Sequence, residues 1–332
     1  MTLNPERPLD ADRPVTAATP RTKFLPIGLR DMGTLIGLLL IVLVFSNLSS
    51  VFLTERNLIN ILQQSSLNAC VAIGMTLVII SGGIDLSVGP TAALSAVIAA
   101  TALVAGYPIP VVAVLALSIG AACGLLNGCL IAFAGLQPFI VTLGTLSLLR
   151  AIALIYTGGT PVLGVPAAFR TLFSSSIWIL PVPVVIVAII GALVWVVLGR
   201  TPLGEYILAV GGNEEAARVS GVPIARTKIA TYMISGVLAS TASLILIARL
   251  GAAEPTLGNL WELEAIAASA IGGASLSGGK GSIVGTIVGA IVLGTMRNGL
   301  TLLNVQAFYQ LLATGIIIIM AMLIDRLTRG KE

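Results

Sequence analysis

Asp85 stands in the run Gly82-Gly83-Ile84-Asp85-Leu86-Ser87-Val88-Gly89. The glycines can turn the chain sharply, and a carboxylate at this spacing can accept hydrogen bonds from the first amides of a following helix. The chemistry on offer is hydrogen bonding at a helix break. Two readings stay open for Asp85 and its neighbour Ser87. One is a helix cap that needs no ligand, and the other is direct contact with a polar solute.

A second run, Gly211-Gly212-Asn213-Glu214-Glu215-Ala216-Ala217-Arg218-Val219-Ser220-Gly221-Val222, has the signs of a short helix with both ends marked. Asn213 is placed to cap it, Glu214 and Glu215 suit the positive end of its dipole, and Gly221 closes it. Ala216 and Ala217 are small enough for another protein to approach closely. Two helical turns are marginal alone. The segment therefore either docks on a partner or lies solvated at an interface.

A third run, Glu262-Leu263-Glu264-Ala265-Ile266-Ala267-Ala268-Ser269-Ala270-Ile271-Gly272-Gly273, opens with carboxylates and continues with small residues that let helices pack closely. Glu264 can face the hydroxyls of an entering solute, or simply pair with the first-turn dipole.

Several chemistries are excluded. The chain has no histidine, and Cys70, Cys123 and Cys129 sit inside apolar runs, so no disulfide framework or ordinary zinc site is expected. No serine with a base partner stands out, so no catalytic residue is assigned. Gly278-Gly279-Lys280-Gly281-Ser282 looks like part of a phosphate loop, but Ala274 and Gly281 stand where that motif needs glycine and a hydroxyl residue. If ATP drives this protein, another chain must bind it.

The elements that hold these runs are membrane helices. Charged residues are 10% of the chain and apolar ones 57%, against about 25% and under half in a soluble domain. A span needs about 20 mostly apolar residues. Such stretches run from Met32 to Leu53, Leu58 to Ile80, Leu86 to Val104, Val111 to Ala134, Phe139 to Tyr156 and Ile177 to Leu198. Four more run from Ile229 to Ala248, Ala265 to Leu276, Ile283 to Leu303 and Ala307 to Ile324. The expected fold is all-α and polytopic, with about ten membrane helices, the eighth too short to cross alone if straight.

An even number puts both termini on one side, and the basic residues place that side in the cytoplasm. Arg21, Lys23 and Arg30 precede the first span. Arg200, Arg218, Arg226 and Lys228 follow the sixth, and Arg326, Arg329 and Lys331 follow the tenth. Residues 1–30, rich in proline, read as a disordered cytoplasmic tail rather than a cleaved signal. Residues 31–332 form the membrane domain, with a cytoplasmic loop over residues 200–228. Gly82 to Ser87 and Gly272 to Ser277 are similar runs near corresponding spans. They are either an internal repeat with discontinuous helices lining a pathway, or a chance match in glycine-rich helices.

Polar residues inside spans complete the candidates: Gln63, Gln64, Asn68, Asn127, Thr142, Arg150, Arg297, Asn298 and Gln310. Most such groups bond to a neighbouring helix, and some line a wet path. Arg150 and Arg297 are expected to reach outward along their stems.

Taken with Pro138-Phe139-Ile140-Val141-Thr142-Leu143-Gly144-Thr145, the three runs resemble the ribose/galactose/xylose-type sugar permeases of ATP-binding-cassette (ABC) importers. The resemblance covers nearly the whole chain after the tail. It implies a bacterial inner-membrane permease, not an enzyme, that pairs with a second copy of itself. The implied partners are two cytoplasmic ATPase subunits that bind ATP and Mg, and a periplasmic sugar-binding protein. No cofactor is expected on this chain and no nucleic acid is involved. Asn213, Glu214, Ala216, Ala217 and Gly221 match the helix that couples to the ATPase. Asn68, Asp85, Ser87, Asn127, Phe139, Thr142 and Glu264 are the expected solute path. The rival reading is an ion- or proton-coupled transporter using Asp85 or Glu264. It leaves the capped loop helix without a purpose.

Overall fold

The computed structural model describes residues 29–329. The proline-rich segment before them, with Arg21 and Lys23, lies outside the described residues, as do Lys331 and the side chains of Arg30, Arg326 and Arg329. The described residues hold α1 (Leu29–Leu48), α2 (Glu55–Ile80), α3 (Val88–Val104), α4 (Ile109–Phe133), α5 (Pro138–Thr157), β1 (Val162–Leu163) and α6 (Ala167–Ser174). Then come β2 (Ser176–Ile177), β3 (Leu180–Pro181), α7 (Val182–Arg200), α8 (Pro202–Gly212), α9 (Glu214–Val219) and α10 (Ile224–Leu250). The chain closes with β4 (Ala252–Ala253), α11 (Trp261–Ile271), α12 (Ile283–Leu302) and α13 (Ala307–Arg329). The strands form two small antiparallel pairs, β1 with β4 and β2 with β3, so the fold is helical as expected.

Each apolar stretch expected to span overlaps a helix. Among the described residues, α2, α4, α5, α7, α10 and α12 are long and apolar enough to cross a membrane by length and composition. α11, with 11 residues, rises only about 16 Å and cannot cross alone. Its boundaries differ from the expected Ala265 to Leu276, because Gly273 at φ 88° turns the chain out of the helix. The sixth stretch also starts later than expected. Ile177 lies on β2, and the helix begins only at Val182, with Pro183 in its first turn, where a missing N–H leaves no helical bond unmade.

Burial separates axis from rim. The apolar window of α2 is 83% buried and that of α7 only 22%, so α2 runs through the middle while α7 turns most of its apolar surface outward. α10, α12, α11 and α7 pack around α2. The closest pair is α4 and α10. Gly120, Gly124 and Gly128, spaced every fourth residue on α4, lie against Gly236, Tyr232 and Ile229 of α10. A Cβ at Gly120 or Gly124 would overlap the carbonyl oxygens of Gly236 and Tyr232. With lipid outside, packing this close replaces the hydrophobic drive that holds helices together in water.

Candidate functional site

The break between α2 and α3 is clamped from three helices. The Ser87 amide donates to Asp85 Oδ1 at 3.0 Å, and the Ser87 hydroxyl donates to the same oxygen at 2.6 Å. Ser235 of α10 donates to Asp85 Oδ2 at 3.0 Å, and Asn127 of α4 donates through Nδ2 to Ser87 Oγ at 2.8 Å. Thr142 of α5 donates to the Ile84 carbonyl at 3.1 Å, and Tyr232 of α10 reaches the same oxygen at 3.5 Å. Asp85 is 1% exposed. A carboxylate this deep needs its lone pairs filled, and here both oxygens are. Asp85 does not cap α3, whose N-cap is Ser87 with no side-chain cap bond; it closes the turn before the helix through Ser87 and ties that turn to α10 through Ser235. Asn127 Oδ1 is the one buried side-chain polar atom of this network left without a partner.

The end of α2 also touches two other glycine-rich segments. The Ile80 carbonyl accepts from the Gly279 amide at 2.8 Å. Gly211, near the end of α8, lies so close that a Cβ there would overlap the Ile80 carbonyl oxygen and stand 2.7 Å from the Gly279 nitrogen. Gly278, at φ 87°, rests on the Gly211 backbone. Both similar glycine runs thus reach one end of the bundle, where the chain enters α9. After α2 the Gly82 and Gly83 amides bond to Ile79 and Val78, and after α11 the Gly273 and Ala274 amides bond to Ala270 and Ser269. The two closures match when Gly82 is set against Gly273. The same closure ends α3, α5, α9 and α12, so it is ordinary helix-end chemistry.

α9 begins where the sequence marks it. Asn213 Oδ1 accepts from the Ala216 amide at 3.0 Å, which caps the helix. Lys228, at the start of α10, binds Glu214 Oε2 at 2.7 Å, and Arg218 binds Glu214 Oε1 at 3.2 Å. Glu214 thus pins α9 to the next helix. Ala217 departs from expectation. It is the buried residue of α9, a helix that packs beside α8 and α10. Ala216 stays exposed, and Val219 is 83% exposed.

Glu264 belongs to a different place. Arg297 of α12 donates to Glu264 Oε1 at 2.8 Å, beside Asn68 and Thr314, around a cavity of about 10 Å³. That volume holds one water and no sugar. Glu264 Oε2 is buried without a hydrogen-bond partner. Asn68 lies 12 residues before Ile80, about 18 Å along α2, so the two polar clusters sit at different depths. Between them Thr76 bonds to Ser269 at 2.8 Å and to Thr286 at 2.7 Å, and nearer the start of α2 Asn57 and Asn298 exchange amide hydrogen bonds at 3.0 and 2.9 Å. The α2–α12 seam is stitched by polar pairs.

The expected path residues therefore separate. Asp85, Ser87, Asn127 and Thr142 come together, Asn68 joins Glu264, and Phe139 is 52% exposed at the start of α5, outside both clusters. Neither arginine reaches outward freely. Arg297 pairs with Glu264, and Arg150 donates to the carbonyls of Pro255 and Leu257 at 2.7 and 2.8 Å. Ser235, Tyr232 and Lys228 were missed as partners. Single hydroxyls in an apolar helix give no signal until the facing helix is known.

A family model described as "Branched-chain amino acid transport system / permease component" matches residues 57–322. The ribose import permease protein of Escherichia coli (strain K12) is 44% identical over 312 residues, covering 92% of this chain and 96% of that protein. The ribose import permease protein of Bacillus subtilis (strain 168) is 42% identical, covering 90% of this chain and 93% of that protein. The D-allose transport system permease protein of Escherichia coli (strain K12) is 40% identical, covering 89% and 91%. No solved structure matches.

Proposed function

The chain belongs to the family of branched-chain amino acid transport system permease components, and from that premise we propose that it is the membrane subunit of an ABC importer for a small sugar. It is a transport permease and not an enzyme. The relatives named for ribose and allose support a monosaccharide as the solute, in a bacterial inner membrane. Its partners are a separate ATPase, which binds ATP and Mg, and a periplasmic sugar-binding protein.

The observation that carries this reading is the position of α9. A capped, charge-pinned helix sits one residue beyond Gly211 and Gly212, which touch the ends of α2 and of the loop before α12. Force applied to α9 by an ATPase would reach both breaks through backbone contacts, with no flexible linker between. Alternating access then follows if ATP and the loaded binding protein favour different arrangements of these breaks.

About ten membrane segments, with both termini in the cytoplasm, remain the reading: six helices are long and apolar enough to cross, α1, α3 and α13 carry shorter apolar stretches, and α11 would cross only together with the chain beside it. The closures after α2 and α11 do not bear on an internal repeat, because they recur at other helix ends and match one residue out of step with the sequence runs. The polar groups expected to line a path bond largely to one another within the chain, which favours a solute path between two copies of it. Asp85, Ser87, Asn127 and Thr142 then act by fixing the wall of that path.

The test is ATP turnover by the permease assembled with its ATPase in lipid, measured with the binding protein loaded in turn with ribose, allose, galactose and an amino acid control. Stimulation by one sugar supports the reading and names the solute. Stimulation by the amino acid alone removes the sugar assignment, and turnover indifferent to the loaded protein removes the importer.

A further inference from the structure

Between Arg170 and Arg200 the sequence carries no charged residue. Within that stretch Ser176–Ile177 pairs with Leu180–Pro181, closing a hairpin on a turn of Trp178 and Ile179. Trp178 has φ 59°, at the first central position of a two-residue turn, where glycine is the usual residue. Such a conformation is uncommon for a bulky side chain. Trp178 is also 96% exposed and Ile179 74%, with Ile177 and Leu180 exposed beside them. In water this tip would combine backbone strain with four uncovered apolar side chains.

Its surroundings say what covers it. The hairpin runs directly into α7, on which Ile189, Leu193 and Val196 are likewise apolar and exposed. Pro183 at the start of α7 and Phe173 line a cavity with Gln63 and Leu67 in the first half of α2, whereas Gly211 meets Ile80, the last residue of α2, so the hairpin lies toward the opposite membrane face from the Gly211 junction. Phe169 and Phe173 of α6 pack inward, 5.0 Å apart, and fix the base of the hairpin to the bundle. Tryptophan favours the boundary between headgroups and hydrocarbon, where its ring is covered and its N–H can bond. We propose that the β2–β3 hairpin is a lipid-interface anchor, with Trp178 seated at headgroup level and Ile177, Ile179 and Leu180 dipping into the acyl boundary. It holds the outer end of α7 at fixed depth while the other end of that helix feeds α8 and α9. This rests only on the chain spanning a membrane, not on the solute or energy source.

The test uses the full chain with Trp195→Phe and Trp261→Phe, leaving Trp178 as the only indole, reconstituted in phosphatidylcholine vesicles. Lipids brominated near the headgroup should quench its fluorescence more than lipids brominated deep in the chain, and the emission should lie to the blue of indole in water. Aqueous acrylamide should quench weakly. Strong acrylamide quenching without any bromolipid effect would overturn the proposal. So would emission that moves to the blue only when a sugar-binding protein is added, which would make the tip a protein-docking loop. If the double variant does not fold, the difference in bromolipid quenching between the native chain and Trp178→Phe reads the same quantity.

Discussion

Gly211 and Ile80 lie backbone against backbone, with no room for a side chain between the α8 end and the last carbonyl of α2. The contact joins the loop that leads into α9 to the helix break that Asp85 organises.

Gly211→Ala forces these segments apart. It should cost about 1–3 kcal/mol of stability, as overpacking does, and should lower ATP-driven uptake more than the stability loss explains. Gly212→Ala is the control, since nothing lies within 4 Å of its Cβ position. Thermal unfolding in detergent and vesicle uptake, measured on both, separate packing from coupling.

Asp85 holds Ser87 and Ser235 by three hydrogen bonds. Asp85→Ala leaves these buried donors unpaired and should destabilise by about 1–3 kcal/mol or more, while Asp85→Asn, which keeps an acceptor, should cost less. Unfolding midpoints check this. A transport loss in Asp85→Ala with an unchanged midpoint would instead mark Asp85 as a solute contact.

The Glu264–Arg297 pair ties α11 to α12. Arg297→Gln should destabilise by about 1–3 kcal/mol, below the cost of breaking a fully buried pair because the Arg297 side chain is 44% exposed. Adding Glu264→Gln should recover part of that loss, because no carboxylate is then left buried. A double-mutant cycle on unfolding free energies measures the coupling.

How far the sequence could be read depended on the range of the interactions. Apolar length revealed the long helices but not α6 or α8, and Asn213, two acids and Gly221 revealed α9, because those signals are local. Pro181 and Pro183 mark the end of a hairpin at the start of an apolar run, but Ile177, Trp178 and Ile179 are as apolar as the span behind them and concealed it. The inward turn of Ala217 depends on where α8 and α10 lie. Glu264 finds Arg297 33 residues away, and Asp85 finds Ser235 at a separation of 150, distances over which spacing carries no information.

Asn213 reports on α9 alone. Asn213→Ala removes the cap at 3.0 Å and should cost about 1 kcal/mol locally, opening the α9 amides to hydrogen exchange while those of α2 and α10 stay protected. Uptake should fall with the exchange.

The most direct test is labelled-sugar uptake into vesicles holding this chain, its ATPase and its binding protein, with ATP supplied or with an ion gradient alone, for the native chain and for Glu214→Arg. The account predicts uptake that needs ATP and all three proteins and that drops in Glu214→Arg, where the Lys228 contact becomes a repulsion. Uptake driven by a gradient without the ATPase, and indifferent to that substitution, would contradict it.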